Sequence, residues 1–151
     1  MFPFLKNSLP PRLPSGFVLE TVKLPSPQEL NRLLSSCNEK THPPNRLSLA
    51  LKNSVCCLSI FDEANGKLAG FVRATSDYGL NANLWNLSAL PGDFQKDLLA
   101  FLIFRVLGLL RKDLPGCSIS VAAPSMAFGV LEEQGFLLDP NGIRSMEFRL
   151  R

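Results

Sequence analysis

Acid–base and metal-binding side chains are scarce in this sequence. Its 151 residues include one histidine, one tyrosine, one tryptophan and four cysteines. The cysteines are Cys37, Cys56, Cys57 and Cys117, and no Cys-x-x-Cys spacing occurs among them. Cys56 and Cys57 sit in the strand-like run Val55–Phe61. Neighbours on a strand point to opposite faces, so the pair makes neither a disulfide nor a chelate. Buried, reduced thiols are expected, with no zinc and no redox centre. His42 stands alone before Pro43-Pro44 and is expected as a loop residue rather than a general base. Charge is also modest: 19% of residues are charged, the net charge is +3, and Lys and Arg form no run. Nucleic acid is therefore not an expected partner. No apolar run reaches the length of a membrane span. The opening MFPFLKNSLPPRLPSG is broken by Pro3, Pro10, Pro11 and Pro14, so it lacks the apolar core of a secretory signal. Residues 1–15 are expected to form an extended arm on a cytoplasmic protein.

What the chain does have is core material. Hydrophobic residues make up 46% of it, enough for one domain over residues 16–151. Phe17–Lys23 alternates and reads as a strand. Ser26-Pro27-Gln28-Glu29 opens a helix with Ser26 as N-cap, Pro27 in the first turn and a carboxylate behind it, running to about Cys37. Thr41–Asn45 is a break, and Arg46–Asn53 reads as a second short helix. Val55–Asp62 and Lys67–Thr75 read as a hairpin with Ala64-Asn65-Gly66 as its turn, where Asn65 and Gly66 tolerate positive φ. Asn83–Leu90 is a strand ended by Pro91-Gly92, followed by a long helix from about Phe94 to Leu110. Cys117–Ala122 is a strand, and Pro124–Gln134 a helix ended by Gly135 in a left-handed C-cap. Gly142 leads to a last strand, Ser145–Leu150. The order is β-α-α-β-β-β-α-β-α-β, a mixed α/β (α+β) sheet of six or seven strands. The strands from Asn83 and Cys117 should be parallel neighbours, joined by a right-handed crossover.

Three stretches carry a family likeness. Gly70-Phe71-Val72-Arg73-Ala74-Thr75-Ser76-Asp77 is followed by Asn81-Ala82-Asn83-Leu84-Trp85-Asn86-Leu87 and Pro91, and later by Glu132-Glu133-Gln134-Gly135-Phe136. With the element order, these words resemble the GNAT N-acetyltransferase superfamily, in the branch found in plastids and cyanobacteria. The resemblance implies a GNAT fold, with the two parallel strands splaying at their C-terminal ends to admit the pantetheine arm. It also implies acetyl-CoA as cofactor and an unspecified amine as acceptor. The family holds the pyrophosphate on backbone N–H groups at a helix start, where unpaired donors and the helix dipole favour an anion. By this likeness Leu87, Ala89, Gln95, Leu99 and Ala100 are the cofactor-binding positions.

The likeness has departures. The family loop reads Gln-x-x-Gly-x-Gly or Gly-x-Ala, whereas a register starting at Gln95 places Leu98 and Ala100 there. The ungapped register places Asp97 and Leu99 instead. Asp93 and Asp97 put carboxylates near two phosphate charges, and Asp93 also suits a helix N-cap. Weak binding of acetyl-CoA is expected, with Leu98 and the two aspartates crowding the cradle. The family's usual tyrosine acid falls on Leu131, and Asn86 replaces a strand carboxylate. Tyr78 lies in a loop, so no catalytic residue is assigned. Two functions remain open: an acetyltransferase with a divergent loop, or a catalytically inactive GNAT-fold interaction module. The segment Leu98–Leu110 is apolar on nearly every side, with only Arg105 and Gly108 outside the apolar set. It is expected either to be deeply covered or to form an interface with a second copy or another protein.

Overall fold

In the computed structural model, which describes residues 9–150, the expected elements form in sequence order up to the last helix. They are β1 (Phe17–Glu20), α1 (Pro27–Ser36), α2 (Pro44–Lys52), β2 (Cys56–Asp62), β3 (Leu68–Ser76), β4 (Asn81–Ala89), α3 (Gln95–Asp113), β5 (Ser118–Val121) and α4 (Phe128–Glu133). A single 3-10 turn, Ser125–Ala127, leads into α4. The five strands make one sheet in the order β1-β2-β3-β4-β5. The first four are antiparallel, and β4 and β5 are parallel, as the crossover through α3 requires.

Each face of the sheet has its own core. Leu58 and Ile60 of β2, Leu84 and Leu87 of β4, and the long helix α3 bury one face, with α4 behind the helix. Leu30, Leu33 and Leu34 of α1 and Leu47 and Leu51 of α2 cover Cys57, Leu68 and Phe71 on the other. α1 starts as its sequence requires. The Ser26 hydroxyl accepts from the Glu29 N–H, and the Glu29 carboxylate accepts from the Ser26 N–H, a reciprocal cap. Gly70 leaves room for α3 on the sheet, since a Cβ there would lie 3.1 Å from Leu102 Cδ1.

Several expectations need correction. Ser145–Leu150 is not a strand, so the sheet has five strands rather than six or seven. Met146, Phe148 and Leu150 alternate but stand in solvent. Pro140 offers no N–H, and Asp139, Asn141 and Gly142 turn the chain through positive φ. A cleft of about 790 Å³ then separates the segment from β5. The β2–β3 turn is a four-residue loop: Asp62 N–H donates to Lys67 O and Gly66 N–H to Asp62 O. The hairpin itself forms as expected, but of Asn65 and Gly66 only Gly66 takes positive φ. Asp93 is not the N-cap of α3. The cap position is Phe94, with no side-chain bond, and the ring instead meets Phe17 edge-on at 5.4 Å. Of the expected arm, residues 1–8 lie outside the described residues, and Leu13 packs on the core.

The apolar helix is covered by its own chain. Leu98 and Leu102 on one side, and Ile103, Val106 and Leu110 on another, are all buried. α3 packs on β2, β3 and β4 of the sheet and on α4. Phe104, Arg105 and Gly108 remain open to solvent. No helix among the described residues is long and apolar enough to cross a membrane.

Candidate active site

β4 is longer than its parallel partner. Asn81–Leu84 pairs with Ser118–Val121, and there the pairing stops, while β4 runs on to Ala89. A bulge lies just past this point. Phe71 faces Ser88 and Arg73 faces Trp85, so Asn86 and Leu87 together oppose the single residue Val72. Asn86 sits at φ +55°, a left-handed conformation that asparagine tolerates better than most residues. Its Oδ1 accepts a 2.7 Å hydrogen bond from Arg73 Nε, which holds the bulge in place. Arg73 is half-buried, and that burial lowers its pKa.

The gap between the parting strands is a cleft of about 160 Å³. Residues 85–88 of β4 form one wall, Ala122 and Pro124 after β5 the second, and Glu39, Lys40 and His42 from the α1–α2 loop the third. Ser88 is fully buried, and its hydroxyl has no hydrogen-bond partner. Leaving such a group unpaired is costly. Trp85 is 38% exposed at the same wall, and its Nε1 donates to Thr75 Oγ1 at 2.8 Å.

The loop over the cleft is held from both ends. α1 closes with Asn38 in the left-handed region, Glu39 N–H reaching Leu34 O and Asn38 N–H reaching Ser35 O. This double bond pattern fixes the chain's exit and aims Glu39 toward β4. Asn31 then grips His42 by its backbone: Nδ2 donates to His42 O at 2.8 Å, and His42 N–H donates to Oδ1 at 2.9 Å. Local sequence reading missed this clamp, because its two partners are eleven residues apart and meet only through the loop.

The five positions implied by the family likeness separate into two groups. Leu87 and Ala89 lie on β4 beyond the split, and Gln95 stands in the first turn of α3 with Nε2 donating to Ala89 O at 2.9 Å. These three are together. Leu99 is buried in the core one turn further along, and the Ala100 carbonyl is taken by Gln134 Nε2 at 2.8 Å. Leu98 is also buried at 1% exposure, so it does not crowd the helix start as expected. Asp93 and Asp97 are exposed there, and Lys96 is ion-paired with Glu133 at 3.2 Å. The Leu131 side chain is in the core. Tyr78 is 71% exposed in a loop shaped by Asp77, whose Oδ1 accepts from the N–H groups of Gly79, Leu80 and Asn81. Those bonds hold the Asp77 carboxyl below its usual range, which makes it a poor base. All four cysteines are free, but only Cys57 is buried; Cys37, Cys56 and Cys117 are half-buried, which corrects the expectation of four buried thiols. Burial and the neighbouring Cys57 push Cys56 up to about 11. No cluster of metal-binding side chains occurs among the described residues.

Relatives share this frame. No protein-family model matches the chain. The N-acetyltransferase ycf52 of Pyropia yezoensis is 33% identical over 120 residues, covering 78% of this chain and 68% of its own length. The protein of the same name from Gracilaria tenuistipitata var. liui is 33% identical over 122 residues, covering 78% and 65%. Histone acetyltransferase TAP1 of Glycine max is 31% identical over 128 residues, covering 78% and 54%. The chain thus spans about two thirds of the length of these red-algal relatives and about half of the soybean protein. Among solved structures, a probable acetyltransferase of Staphylococcus aureus superposes with a TM-score of 0.75 at 13% identity, covering 88% of this chain and all of that one. A GNAT-family acetyltransferase of Streptococcus pneumoniae gives 0.68 at 14% identity, covering 89% and 98%. At such identities the likeness concerns the fold.

Proposed function

Since this chain belongs to the GNAT N-acetyltransferases of the plastid type, we propose that it moves an acetyl group from acetyl-CoA to an amine in the cleft where β4 and β5 part. The observation that carries this reading is the split itself. β4 loses its parallel partner after Leu84, the Asn86 bulge re-aims the strand, and the orphaned Ser88 hydroxyl lies at the wall of the gap.

Two ends of the cofactor meet different surfaces. The acyl and pantetheine end is assigned to the cleft, where Leu87 lies at the wall, Ala89 follows it on β4, and Ser88 would find the partner it lacks. Bound there, acetyl-CoA supplies an activated thioester carbonyl. The pyrophosphate end fits less well. Gln95 is already bonded to Ala89 O and Met126 Sδ. Lys96 is paired with Glu133, and two carboxylates stand at the first turn of α3. Like charges close together near a surface oppose binding by a few kcal/mol at most. Weak, salt-sensitive affinity is the expected consequence. Asn86 and Leu131 hold no transferable proton, so proton movement falls to groups of the α1–α2 loop or to water.

The chain carries its own reporter. Trp85, the single tryptophan, lines the cleft. Titrating acetyl-CoA into the protein should change Trp85 emission saturably, with calorimetry giving the same dissociation constant. Acetylation of a lysine peptide should follow by mass spectrometry. No saturable response up to millimolar acetyl-CoA would overturn the transferase reading and leave the fold as an interaction module.

A further inference from the structure

We propose that His42 is the proton acceptor of this transfer and that Asn31 is the residue that positions it, an inference that rests on the transferase reading above. The cleft brings together few groups able to accept a proton. Asn86 cannot, Leu131 cannot, and Asp77 and Tyr78 sit in the loop before β4, away from the split. The Cys37 thiol, raised by burial, donates to Ala89 O at 3.1 Å. The α1–α2 loop contributes the remaining candidates, Glu39 and His42, with Lys40 beside them. Imidazole is the side chain that exchanges protons near neutral pH, whereas an ordinary carboxylate is a weaker base there. Glu39 suits a different task, drawing in the positive charge of an incoming ammonium. Lys40 is exposed, and Arg73, with its Nε committed to Asn86 Oδ1, does not line the gap.

Geometry adds the second strand of the argument. A loop residue is a poor catalytic group unless something holds it, since misplacement by an ångström is expensive. His42 is held at its own backbone, by both hydrogen bonds of one carboxamide, from a side chain anchored in α1. The capping pattern at Asn38 fixes the other end of the loop. His42 itself lines the cleft opposite residues 85–88 of β4.

The step balances as follows. The acceptor ammonium gives one proton to an imidazole nitrogen of His42. The freed amine nitrogen forms a bond to the thioester carbonyl carbon, the carbon–sulfur bond breaks, and sulfur keeps its electron pair. A second N–H proton passes to sulfur, directly or through water, and His42 returns its proton to solvent. The products are an amide and a free thiol.

The test uses the full chain with acetyl-CoA and a panel of primary amines: a lysine peptide, a polyamine and an arylalkylamine. His42→Gln should lower kcat by about 10²- to 10⁴-fold and leave the Trp85-detected affinity for acetyl-CoA within about twofold. Added imidazole should restore part of the rate to His42→Ala, which a merely structural role would not allow. Asn31→Asp, which keeps the acceptor for His42 N–H and loses the donor to His42 O, should reduce kcat with little change in KM. Activity of His42→Gln within threefold of the unaltered protein, or no rescue by imidazole, overturns the proposal while the transferase reading stands. Acetyl-CoA binding with no acetylation of any panel amine also overturns it, because a positioned base beside a bound thioester would act on one of them. Absence of acetyl-CoA binding removes the transferase reading and this proposal with it.

Discussion

Replacing Ser88 by alanine should stabilise the free protein and weaken its hold on acetyl-CoA. Ser88 is fully buried, and its hydroxyl meets neither protein donor nor acceptor. Leaving such a group unpaired costs about 1–3 kcal/mol. Alanine removes one oxygen, and the void it leaves costs only about 0.3 kcal/mol at about 24 cal/mol per Å³. The net gain is about 1 kcal/mol or more, which for a domain of this size raises Tm by about 2 °C or more. The bound state pays the opposite way. If Ser88 bonds the ligand, its loss removes about 0.5–1.5 kcal/mol, or about two- to twelvefold in affinity. Ser59 provides the control. It is equally buried and unpartnered, but it does not line the cleft. Ser59→Ala should therefore raise Tm and leave acetyl-CoA affinity alone. Differential scanning calorimetry and Trp85 titration measure both quantities on both variants. A lower Tm for Ser88→Ala, or equal effects of the two substitutions on affinity, refutes the assignment of Ser88 to the site.

Further outcomes follow from other residues. Asn86→Gly keeps the left-handed bulge and loses the bond to Arg73, whereas Asn86→Val also strains the backbone; urea denaturation should show a loss of about 1 kcal/mol for glycine and about 1–2 kcal/mol more for valine. Asp97→Lys should tighten acetyl-CoA binding by about three- to thirtyfold at low salt, through charge reversal at the first turn of α3. Leu98→Gly, by contrast, should only unfold the core. The depressed folded-state pKa of Asp77 means that its contribution to stability is present above its ordinary value of 3.8 and is lost as pH falls through the lower folded value. Acid denaturation of Asp77→Asn should accordingly show a flatter dependence in that window. With Cys56 pushed up to about 11, roughly one thiol in a thousand is ionised at pH 8, so Cys56 should resist iodoacetamide in the native protein and react after unfolding, as tracked by peptide mass mapping.

Much of the fold was legible because its signals are local. Ser26-Pro27 with Glu29 specifies a helix start by its own hydrogen bonds, and Gly135, at φ +99°, closes α4 as a left-handed cap. The parallel β4–β5 pair follows from the length of the crossing segment. Errors arose where a local pattern depended on a distant partner. Met146, Phe148 and Leu150 alternate as a strand does, yet β5 offers only four residues and a cleft intervenes. In one of the two registers that the family likeness allows, Leu98 falls at a glycine position of the phosphate loop, but α3 begins at Gln95 and carries Leu98 down into the core.

From sequence alone come the element order as far as α4, the family words around Arg73 and Trp85, and the scarcity of acid–base side chains. Those are properties of residues and their near neighbours. Tertiary structure alone decided which groups share the cleft. Asn31 and His42 are joined across a loop, Ser88 is stranded at the wall beneath them, and both sides of the apolar helix are covered by the chain itself. Proximity between residues far apart in the chain is set by how the helices pack on the two faces of the sheet, and no local spacing encodes it.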